Sequence, residues 1–199
     1  MATLRDIQKQ HTRQLLLDNA LEMFTVKGYA ATTIDDIAAA AGTTRTTFYA
    51  HFPSKSQLMS ELIRGVDDIL TGADEPVLET VVEVGSRDLI EKWLDRKLTQ
   101  WEVIRPYMLI AYQAAPEEPD VQETIDKWFA DTTESMQQGL TRAGRHSEED
   151  RRVRCILAFG QLEFMSQLWF RSGWVTPRQV CLSTLTDSWM YLVGRVSAD

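Results

Sequence analysis

The stretch that most constrains the fold is residues 33–55, which carry two short helical patterns separated by a glycine. Thr33 followed by Asp36 is a capping-box pattern that predicts the start of a first helix. The apolar residues after it recur at the spacing of one helical face: Ile34, Ile37, Ala38 and Ala41. Gly42 can adopt the left-handed conformation that ends a helix, so the first helix is expected to end there.

A second short helix is predicted after the glycine. Thr44 can cap it, and Phe48 and Phe52 have the i, i+4 spacing of an apolar face that holds a helix to a core. Pro53 stops it, because proline lacks the amide that a continuing helix needs. A helix, a glycine turn and a second short polar helix make a helix-turn-helix, whose second helix enters the major groove of DNA.

Several stretches of residues 10–64 support a more specific interpretation. They are Thr12-Arg13, LLLDNALEMFTVKGYAATTIDDIAAAAG and TTRTTFYAHFPSKSQL, of which the run Phe-Tyr-x-His-Phe-Pro-Ser-Lys is the most diagnostic. They resemble the N-terminal domain of the TetR family of bacterial transcription regulators. Thr46 stands where the family usually has glycine, and Ala50 where it often has an aromatic residue. Relatives bring these two positions to DNA, so the resemblance carries no operator sequence over to this chain.

The resemblance implies that this region binds a double-stranded DNA operator, and its residue types suit that role. Arg45 is the best candidate to read guanine, because a guanidinium can bond O6 and N7 together. Amides at the start of the helices capped by Thr33 and Ser54 can bind phosphate. The predicted DNA-binding set is Thr33, Thr44, Arg45, Thr46, Thr47, Tyr49, His51 and Lys55, with the last three expected on phosphates.

The charge distribution fits a DNA-binding head on an acidic body. The whole chain has a net charge of −8, which is unusual for a DNA-binding protein. Residues 1–55 carry six Lys or Arg against five Asp or Glu, whereas residues 56–199 carry 15 against 24. A weakly basic head predicts modest non-specific affinity and reliance on a dimer.

The domain organisation follows from the breaks in the helical pattern. Residues 1–55 are predicted to form the DNA-binding domain, and residues 71–199 a ligand-binding and dimerisation domain. A helix over 54–70, opened by a Ser54–Gln57 capping box, is expected to link them. The Gly- and Pro-containing break TGADEP follows this helix.

The remainder of the chain reads as helices, without a period-2 pattern that would predict strands. Beyond residues 33–70 the predicted helices are 12–27, 87–104, 107–115, 120–143, 148–172 and a last one opened by Thr176-Pro177. Pro106 is expected to separate two of them. Residues 1–11 are expected to be a loose arm whose Arg5 and Lys9 touch the DNA backbone. The fold class is therefore all-α with about nine helices: a three-helix head and a helical C-terminal domain.

The second predicted site is a small-molecule pocket, which relatives place in this C-terminal region. The large, aromatic or polarisable residues of 80–170 are candidates to line it, and packing in the core is the alternative for each. Glu163 interrupts the most apolar stretch, where an unpaired carboxylate is costly. It can pair with an arginine, lie in a dimer contact or meet a ligand's cationic group. The predicted ligand-binding set is Trp101, Met108, Tyr112, Trp128, Phe129, Met136, Phe159 and Glu163.

The third predicted site is a dimer face on the last two helices, as in relatives. Its candidates are Trp169, Leu185, Trp189 and Leu192. Packing within one protomer is the alternative for each of these residues.

The sequence gives little support for a secreted protein, a membrane protein or an enzyme. No stretch approaches 18 uncharged apolar residues and no signal sequence is visible, which predicts a cytoplasmic protein without a membrane partner. Cys155 and Cys181 are isolated and are expected to be reduced. No catalytic motif, phosphate-binding glycine motif or cluster of metal ligands is recognisable, so neither an enzyme nor a cofactor is expected.

The sequence thus predicts a homodimeric repressor that a small apolar or amphipathic ligand releases from a palindromic operator. Two alternatives stay open. One is an effector-independent activator or architectural DNA-binding protein, which a filled core in residues 80–170 would favour. The other is a ligand-binding or adaptor module whose DNA-binding head is vestigial, which a failure to bind any promoter DNA would favour.

Overall fold

The structure is a computed structural model that describes residues 3–72 and 74–195. Over these residues the chain forms nine α-helices and no β-strand, which confirms the all-α class. The helices are α1 Leu4–Lys27, α2 Ile34–Ala40, α3 Arg45–His51, α4 Lys55–Thr71, α5 Leu78–Val84, α6 Arg87–Ala114, α7 Pro119–Arg142, α8 Glu148–Ser172 and α9 Arg178–Val193.

The chain divides into two compact units. The first unit consists of the residues up to Val66 together with Pro106–Ile125, and the second of Asp67–Arg105 and the described residues from Asp126 onward. The sequence placed the linking helix outside the DNA-binding domain. In the structure most of α4 is part of the first unit, which also includes the end of α6 and the start of α7. Helices α4, α6 and α7 therefore contribute residues to both units.

The core of the first unit joins the helix-turn-helix to the helices around it. Phe24 of α1, Phe48 of α3 and Leu58 of α4 are almost fully buried together, and Ala111 of α6 and Val121 of α7 belong to the same cluster. Burying a side chain of phenylalanine or leucine size stabilises a fold by about 1.5–3 kcal/mol. This core therefore fixes the orientation of the short α2 and α3, which are too short to be stable alone.

Helix α1 begins earlier than the sequence suggested. The expected loose arm is helical from Leu4, because Thr3 and Asp6 form a capping box in which the Thr3 side chain accepts from the Asp6 amide and Asp6 accepts from the Thr3 amide. Thr3 and Asp6 have the same spacing and the same reciprocal bonds as Thr33 and Asp36. The prediction of a loose arm is wrong for the described part of the segment.

Helix α6 runs through Pro106, where the sequence predicted a break. Proline inside a helix costs about 3 kcal/mol through one lost hydrogen bond and a clash with the preceding turn. The buried side chains of Ile104, Met108 and Ile110 flank it, and their burial offsets that cost. The predicted pair of helices is one helix of 28 residues.

Helix α5, Leu78–Val84, was not predicted. Its sequence LETVVEV is rich in β-branched residues, which have low intrinsic helix propensity. Leu78, Val81 and Val82 are buried on one face, and Gly85 ends the helix in the left-handed conformation with φ 62°. Packing of that apolar face decides the local structure against propensity.

Candidate DNA-binding interface

Helix α2 is held in place by its caps. Thr33 Oγ1 accepts from the Asp36 amide at 3.1 Å, and Asp36 Oδ2 accepts from the Thr33 amide at 3.0 Å, which completes the predicted capping box. These bonds, with the Lys27 ammonium 3.0 Å from Asp36 Oδ1, lower the pKa of Asp36 to about 2. Gly42 has φ 65° after the helix, as the turn requires.

Helix α3 presents one apolar and one polar face. Thr44 Oγ1 accepts from the Thr47 amide at 3.2 Å and caps the helix as predicted. Phe48 and Phe52 are buried, with ring centroids 5.8 Å apart. Because the phenylalanines turn one side of α3 to the core, Arg45, Thr46, Tyr49 and Ala50 are exposed on the other. This exposed face can contact an external partner.

The Arg45 guanidinium has two neighbours on this face. Its Nη1 lies 2.9 Å from Asp35 Oδ2 of α2, and both side chains are more than half exposed. Its Nη2 is 3.4 Å from the Tyr49 hydroxyl, and its Cζ is 5.6 Å from the centroid of the Tyr49 ring. These contacts with Tyr49 and Asp35 raise the pKa of Arg45. Asp35 was not among the residues predicted from the sequence to matter at this interface.

Lys55 is engaged within the first unit. Its Nζ donates to the carbonyls of Tyr29 at 2.8 Å and Thr32 at 3.0 Å, and lies 4.1 Å from the centroid of the Tyr29 ring. Burial lowers the pKa of Lys55. The ammonium predicted to contact phosphate therefore holds the turn between α1 and α2 in this structure. The Ser54 side chain accepts from the Gln57 amide at 3.0 Å, which is one of the two bonds of the predicted capping box at the start of α4.

His51 lies at the edge of an open cleft between α1 and α3, with a volume of about 430 Å³. The cleft is lined by Asp6, Lys9, Gln10, Arg13, Ala50 and His51. His51 Nδ1 is buried without a hydrogen-bond partner. Burial lowers the pKa of His51, and the positive charges of Lys9 and Arg13 lower it further. Lys9 and Arg13 thus lie beside the end of α3, a neighbourhood that appears only once α1 is extended to Leu4.

The predicted ligand-binding residues do not form one cluster. Trp128, Phe129 and Phe159 meet in the second unit, with the Phe159 centroid 5.3 Å from Trp128 and 5.2 Å from Phe129. Trp101 instead stacks on Trp174 at 5.5 Å.

The other members of that set are dispersed. Met108 and Tyr112 belong to the first unit, where Tyr112 packs against its core. Met136 is fully buried in the second unit, and Glu163 is half-buried, with Oε1 3.3 Å from Gln167 Nε2.

The candidates for the dimer face are buried inside the protomer. Trp169, Leu185, Trp189 and Leu192 are at most 8% exposed, and Trp189 Nε1 donates to the Ala158 carbonyl at 2.9 Å. The assignment of these four residues to an intersubunit face is therefore wrong. The apolar side chains that α8 and α9 expose are different ones: Val153, Ile156, Leu157, Phe164, Leu168, Val180 and Tyr191.

Among residues 3–72 and 74–195, no three His, Cys, Asp or Glu side chains are grouped to hold a metal ion. Within the same residues no helix is long and apolar enough to cross a membrane. Cys155 and Cys181 are buried free thiols, and burial raises the pKa of Cys155 to about 12.

Comparison with known proteins identifies the helix-turn-helix region. The sequence model described as bacterial regulatory proteins, tetR family, matches residues 16–62. The HTH-type transcriptional regulator AcrR of Shigella flexneri is 45% identical over 62 residues, which cover 31% of this chain and 29% of that protein. The HTH-type transcriptional repressor KstR2 of Mycolicibacterium smegmatis is 40% identical over 73 residues, covering 37% and 36%. The chain thus spans about a third of the length of these curated relatives.

The fold is shared over a much larger part of the chain. NalD of Pseudomonas aeruginosa, described as the secondary repressor of the MexAB-OprM multidrug efflux pump, superposes with a TM-score of 0.71 at 24% identity. The match covers 94% of this chain and 98% of NalD. The SmeT–triclosan complex superposes with a TM-score of 0.69 at 20% identity, over 94% of this chain and 93% of that one. Residues 16–62 thus match the helix-turn-helix region of the tetR family of bacterial regulatory proteins, and the chain shares the fold of these solved structures from its N-terminal helix-turn-helix through its helical C-terminal region.

Proposed function

We propose that the protein is a DNA-binding transcriptional repressor whose α3 lies in the major groove of its operator. The observation that carries the proposal is the exposed polar face of α3, where Arg45, Thr46 and Tyr49 stand free of the core that Phe48 and Phe52 anchor. Major-groove recognition needs a short, rigidly held helix with donors on its outer face. The regulators AcrR and KstR2, similar over this region, are named as transcriptional regulators.

The electrostatics of the head favour a dimeric mode of binding. Within the segment 33–52 the charged side chains are Arg45, Asp35 and Asp36, apart from His51. A protein that contacts few phosphates loses little affinity with salt but also gains little from the backbone. Two heads on a palindromic site double these contacts and add a spacing requirement of one helical turn of DNA or its multiples.

The exposed apolar face of α8 supports a homodimer. Val153, Leu157, Phe164 and Leu168 have the spacing of one helical stripe, and each is more than 40% exposed. Val180 and Tyr191 of α9 extend the set of exposed apolar side chains to the helix that packs on α8. Exposed apolar patches of this kind mark protein–protein interfaces. We assign the homodimer contact to these residues in place of the buried candidates.

The dimer is tested by Phe164→Glu combined with Leu168→Glu. Each carboxylate would lie in an apolar contact at a cost of several kcal/mol, so sedimentation is expected to show a folded monomer that has lost specific DNA binding. Val103→Glu is the matched control and should stay dimeric, because Val103 is an exposed apolar residue of the second unit that lies on α6 and not on α8 or α9. A double variant that remains dimeric would remove α8 from the interface.

Release by a small apolar or amphipathic ligand completes the proposed function. The second unit offers the Trp128–Phe129–Phe159 group, and one protein of the same fold is a complex with triclosan. Helices α4, α6 and α7 contribute residues to both units, so a ligand that shifts them in the second unit also acts on the first. Such a ligand must bind the DNA-incompetent state more tightly than the competent one.

The first unit has contacts that would transmit such a shift to α4 and the turn before α2. In the α6–α7 turn, the Glu118 carboxylate accepts from the Tyr29 hydroxyl at 2.9 Å. Asp120 Oδ2 accepts from Ser56 Oγ at 3.3 Å and Gln57 Nε2 at 3.1 Å, both at the start of α4. A displaced α6–α7 turn would therefore pull on α4 and on the segment that leads into α2.

The ligand class is tested by measuring release from DNA. Residues 56–199 are net negative and Glu163 is half-buried on α8, so lipophilic cations and neutral aromatic compounds should release DNA more readily than small anions. Loss of the response to cations alone in Glu163→Gln would support Glu163 as their charge partner. Equal responses in both proteins would return Glu163 to a structural role.

The proposed function as a sequence-specific repressor is tested by selecting the duplexes that the protein binds from a random DNA pool. The expected product is a palindromic sequence with two half-sites, and the same sequence should occur in promoters that the protein represses. Recovery of no common sequence at low salt would overturn the function as a sequence-specific repressor.

A further inference from the structure

The two adjacent acids at the start of α2 have different partners. Asp36 bonds within its own neighbourhood, to Thr33 in the capping box and to the Lys27 ammonium. Asp35 reaches across the helix-turn-helix to Arg45 of α3, ten residues later in the chain, with Oδ2 2.9 Å from Nη1. The side chains of Asp35 and Arg45 are 63% and 58% exposed, on the side of α3 that faces away from the core. Asp35 therefore belongs to the same surface as the predicted guanine-reading residue.

Stability alone does not explain an acid at this position. An exposed ion pair contributes little to folding, and an acid in the first turn of α2 gains only a small favourable interaction with the helix dipole. A carboxylate on a DNA-facing surface also repels phosphate, and it neutralises the single arginine of α3. A recognition surface that carries this cost gains from the carboxylate only if it improves discrimination between sequences.

The pair has the hydrogen-bonding pattern of one base pair. In the major groove a G·C pair presents two acceptors, guanine N7 and O6, followed by the donor N4 of cytosine. A guanidinium has five donors and a carboxylate about four acceptor sites, so one bond between Arg45 and Asp35 leaves capacity on both groups. The bonded pair then offers donors beside an acceptor, which complements guanine beside cytosine.

We propose that Asp35 is a specificity-determining residue of the DNA interface. It positions the Arg45 guanidinium for guanine and offers its carboxylate to the N4 amine of the paired cytosine. This inference rests on the proposed function and adds a residue of α2 to the reading surface. Asp35 is expected to disfavour A·T and T·A pairs at that position, because their donor and acceptor order differs from that of G·C.

The experiment starts from the duplex that the wild-type protein selects from a random pool. Competition binding is measured for every base-pair substitution in one half-site and for a scrambled duplex, at one fixed salt concentration. The proteins compared are wild type, Asp35→Ala, Asp35→Asn, Arg45→Ala and the Asp35→Ala/Arg45→Ala double variant. Asp88→Ala, which removes an exposed, lysine-paired carboxylate of the second unit, is the matched control.

The expected result is confined to the base pair at which Arg45→Ala loses preference. There Asp35→Ala and Asp35→Asn should lower the preference for G·C by about tenfold, while Asp35→Ala binds the scrambled duplex more tightly than wild type. The double variant should discriminate no worse than Arg45→Ala alone, because Asp35 acts together with Arg45. Asp88→Ala should leave the whole profile unchanged.

Two outcomes would overturn the inference and are distinguishable from each other. If the Asp35 variants change the affinity for every sequence by the same factor, Asp35 is only an electrostatic or structural residue, and the proposed function stands. If the wild-type protein selects no sequence at all, the proposed function falls as well. Asp35→Asn keeps the shape of the side chain, so the comparison holds even where Asp35→Ala weakens α2.

Discussion

The first and second units each contain an aspartate paired with a cation, and the two pairs differ in burial. Asp35 and Arg45 of the first unit are both more than half exposed. Asp74 and Lys97 of the second unit are 5% and 7% exposed, with Lys97 Nζ 2.8 Å from Asp74 Oδ2. Lys97 also donates to the Leu70 carbonyl of α4, and Trp93 Nε1 donates to Asp74 Oδ2 at 3.1 Å. Burial lowers the pKa of Lys97.

The difference in burial gives the two pairs different roles: the buried pair stabilises the fold, and the exposed pair is available to a ligand. A buried charge that loses its partner is strongly destabilising, so Asp74 and Lys97 are committed to holding the end of α4. An exposed pair contributes little to folding, so its members can exchange partners with water or a ligand at small cost. Lys55 lies between these extremes, half-buried and bonded to two backbone carbonyls. Three cations of decreasing burial therefore provide a graded test.

Lys97→Met is expected to have the largest effect, a loss of up to about 3–5 kcal/mol in the free energy of unfolding, because it leaves the buried Asp74 with only Arg96 Nε, at 3.6 Å, as a charge partner. Urea denaturation measures it. Lys92→Met, which removes the exposed partner of Asp88, is the control and should change stability by about 0.5 kcal/mol or less. Similar losses in the two variants would contradict the assigned difference between buried and exposed pairs.

Lys55→Met is expected to have an intermediate effect. It removes two hydrogen bonds to the turn between α1 and α2, and each bond of a partly exposed group contributes about 0.5–1.5 kcal/mol. If Lys55 also contacts phosphate, as its sequence position predicts, all DNA sequences will bind more weakly and the salt dependence will flatten by about one contact. Unchanged stability with a flattened salt dependence would assign Lys55 to DNA alone.

Arg45→Ala is expected to leave the midpoint of urea denaturation close to that of wild type, because its pair with Asp35 is exposed. The same change should cost about 1–3 kcal/mol in specific DNA binding and relax the preference at one base pair per half-site. Comparing urea denaturation with competition binding separates the two effects. A large stability loss with an intact sequence preference would reverse the roles assigned to the exposed and buried pairs.

His51 should give the smallest effect, a dependence of DNA affinity on pH. Burial, together with the positive charges of Lys9 and Arg13, lowers the pKa of His51 from its ordinary value in the free protein. A phosphate bound nearby favours the protonated ring, so binding raises this pKa and takes up a proton. Affinity should therefore rise by less than about tenfold as pH falls from 8 to 6. His51→Gln should remove this dependence, and a variant that keeps the wild-type slope would exclude His51 from the interface.

The head was largely predictable because its signals are local. The Thr33 capping box, the Thr44 cap and the Phe48–Phe52 spacing each lie within a few residues, and the structure confirms all three. The Asp35–Arg45 pair escaped prediction because it joins two helices across the Gly42 turn. Local sequence patterns identify the residues of each helix, but they do not predict which residues of two different helices lie close together.

The second unit was less predictable because its structure depends on packing between distant segments. The expected helix count agreed only through two compensating errors, α6 divided at Pro106 and α5 left out. Trp189 and Leu185 were assigned to a dimer face because they form an apolar stripe, and the structure buries them inside the protomer. Spacing identifies an apolar face, but only the tertiary structure shows whether that face is already covered.

The central claim, sequence-specific DNA recognition by α3, is tested most directly by one ratio. It is the affinity for the duplex selected from a random pool divided by the affinity for a scrambled duplex of equal length, at one salt concentration near 150 mM. We predict a ratio of at least about 10³, in the range of specific DNA-binding proteins. A ratio near one would contradict the account, because the exposed face of α3 would then read no base.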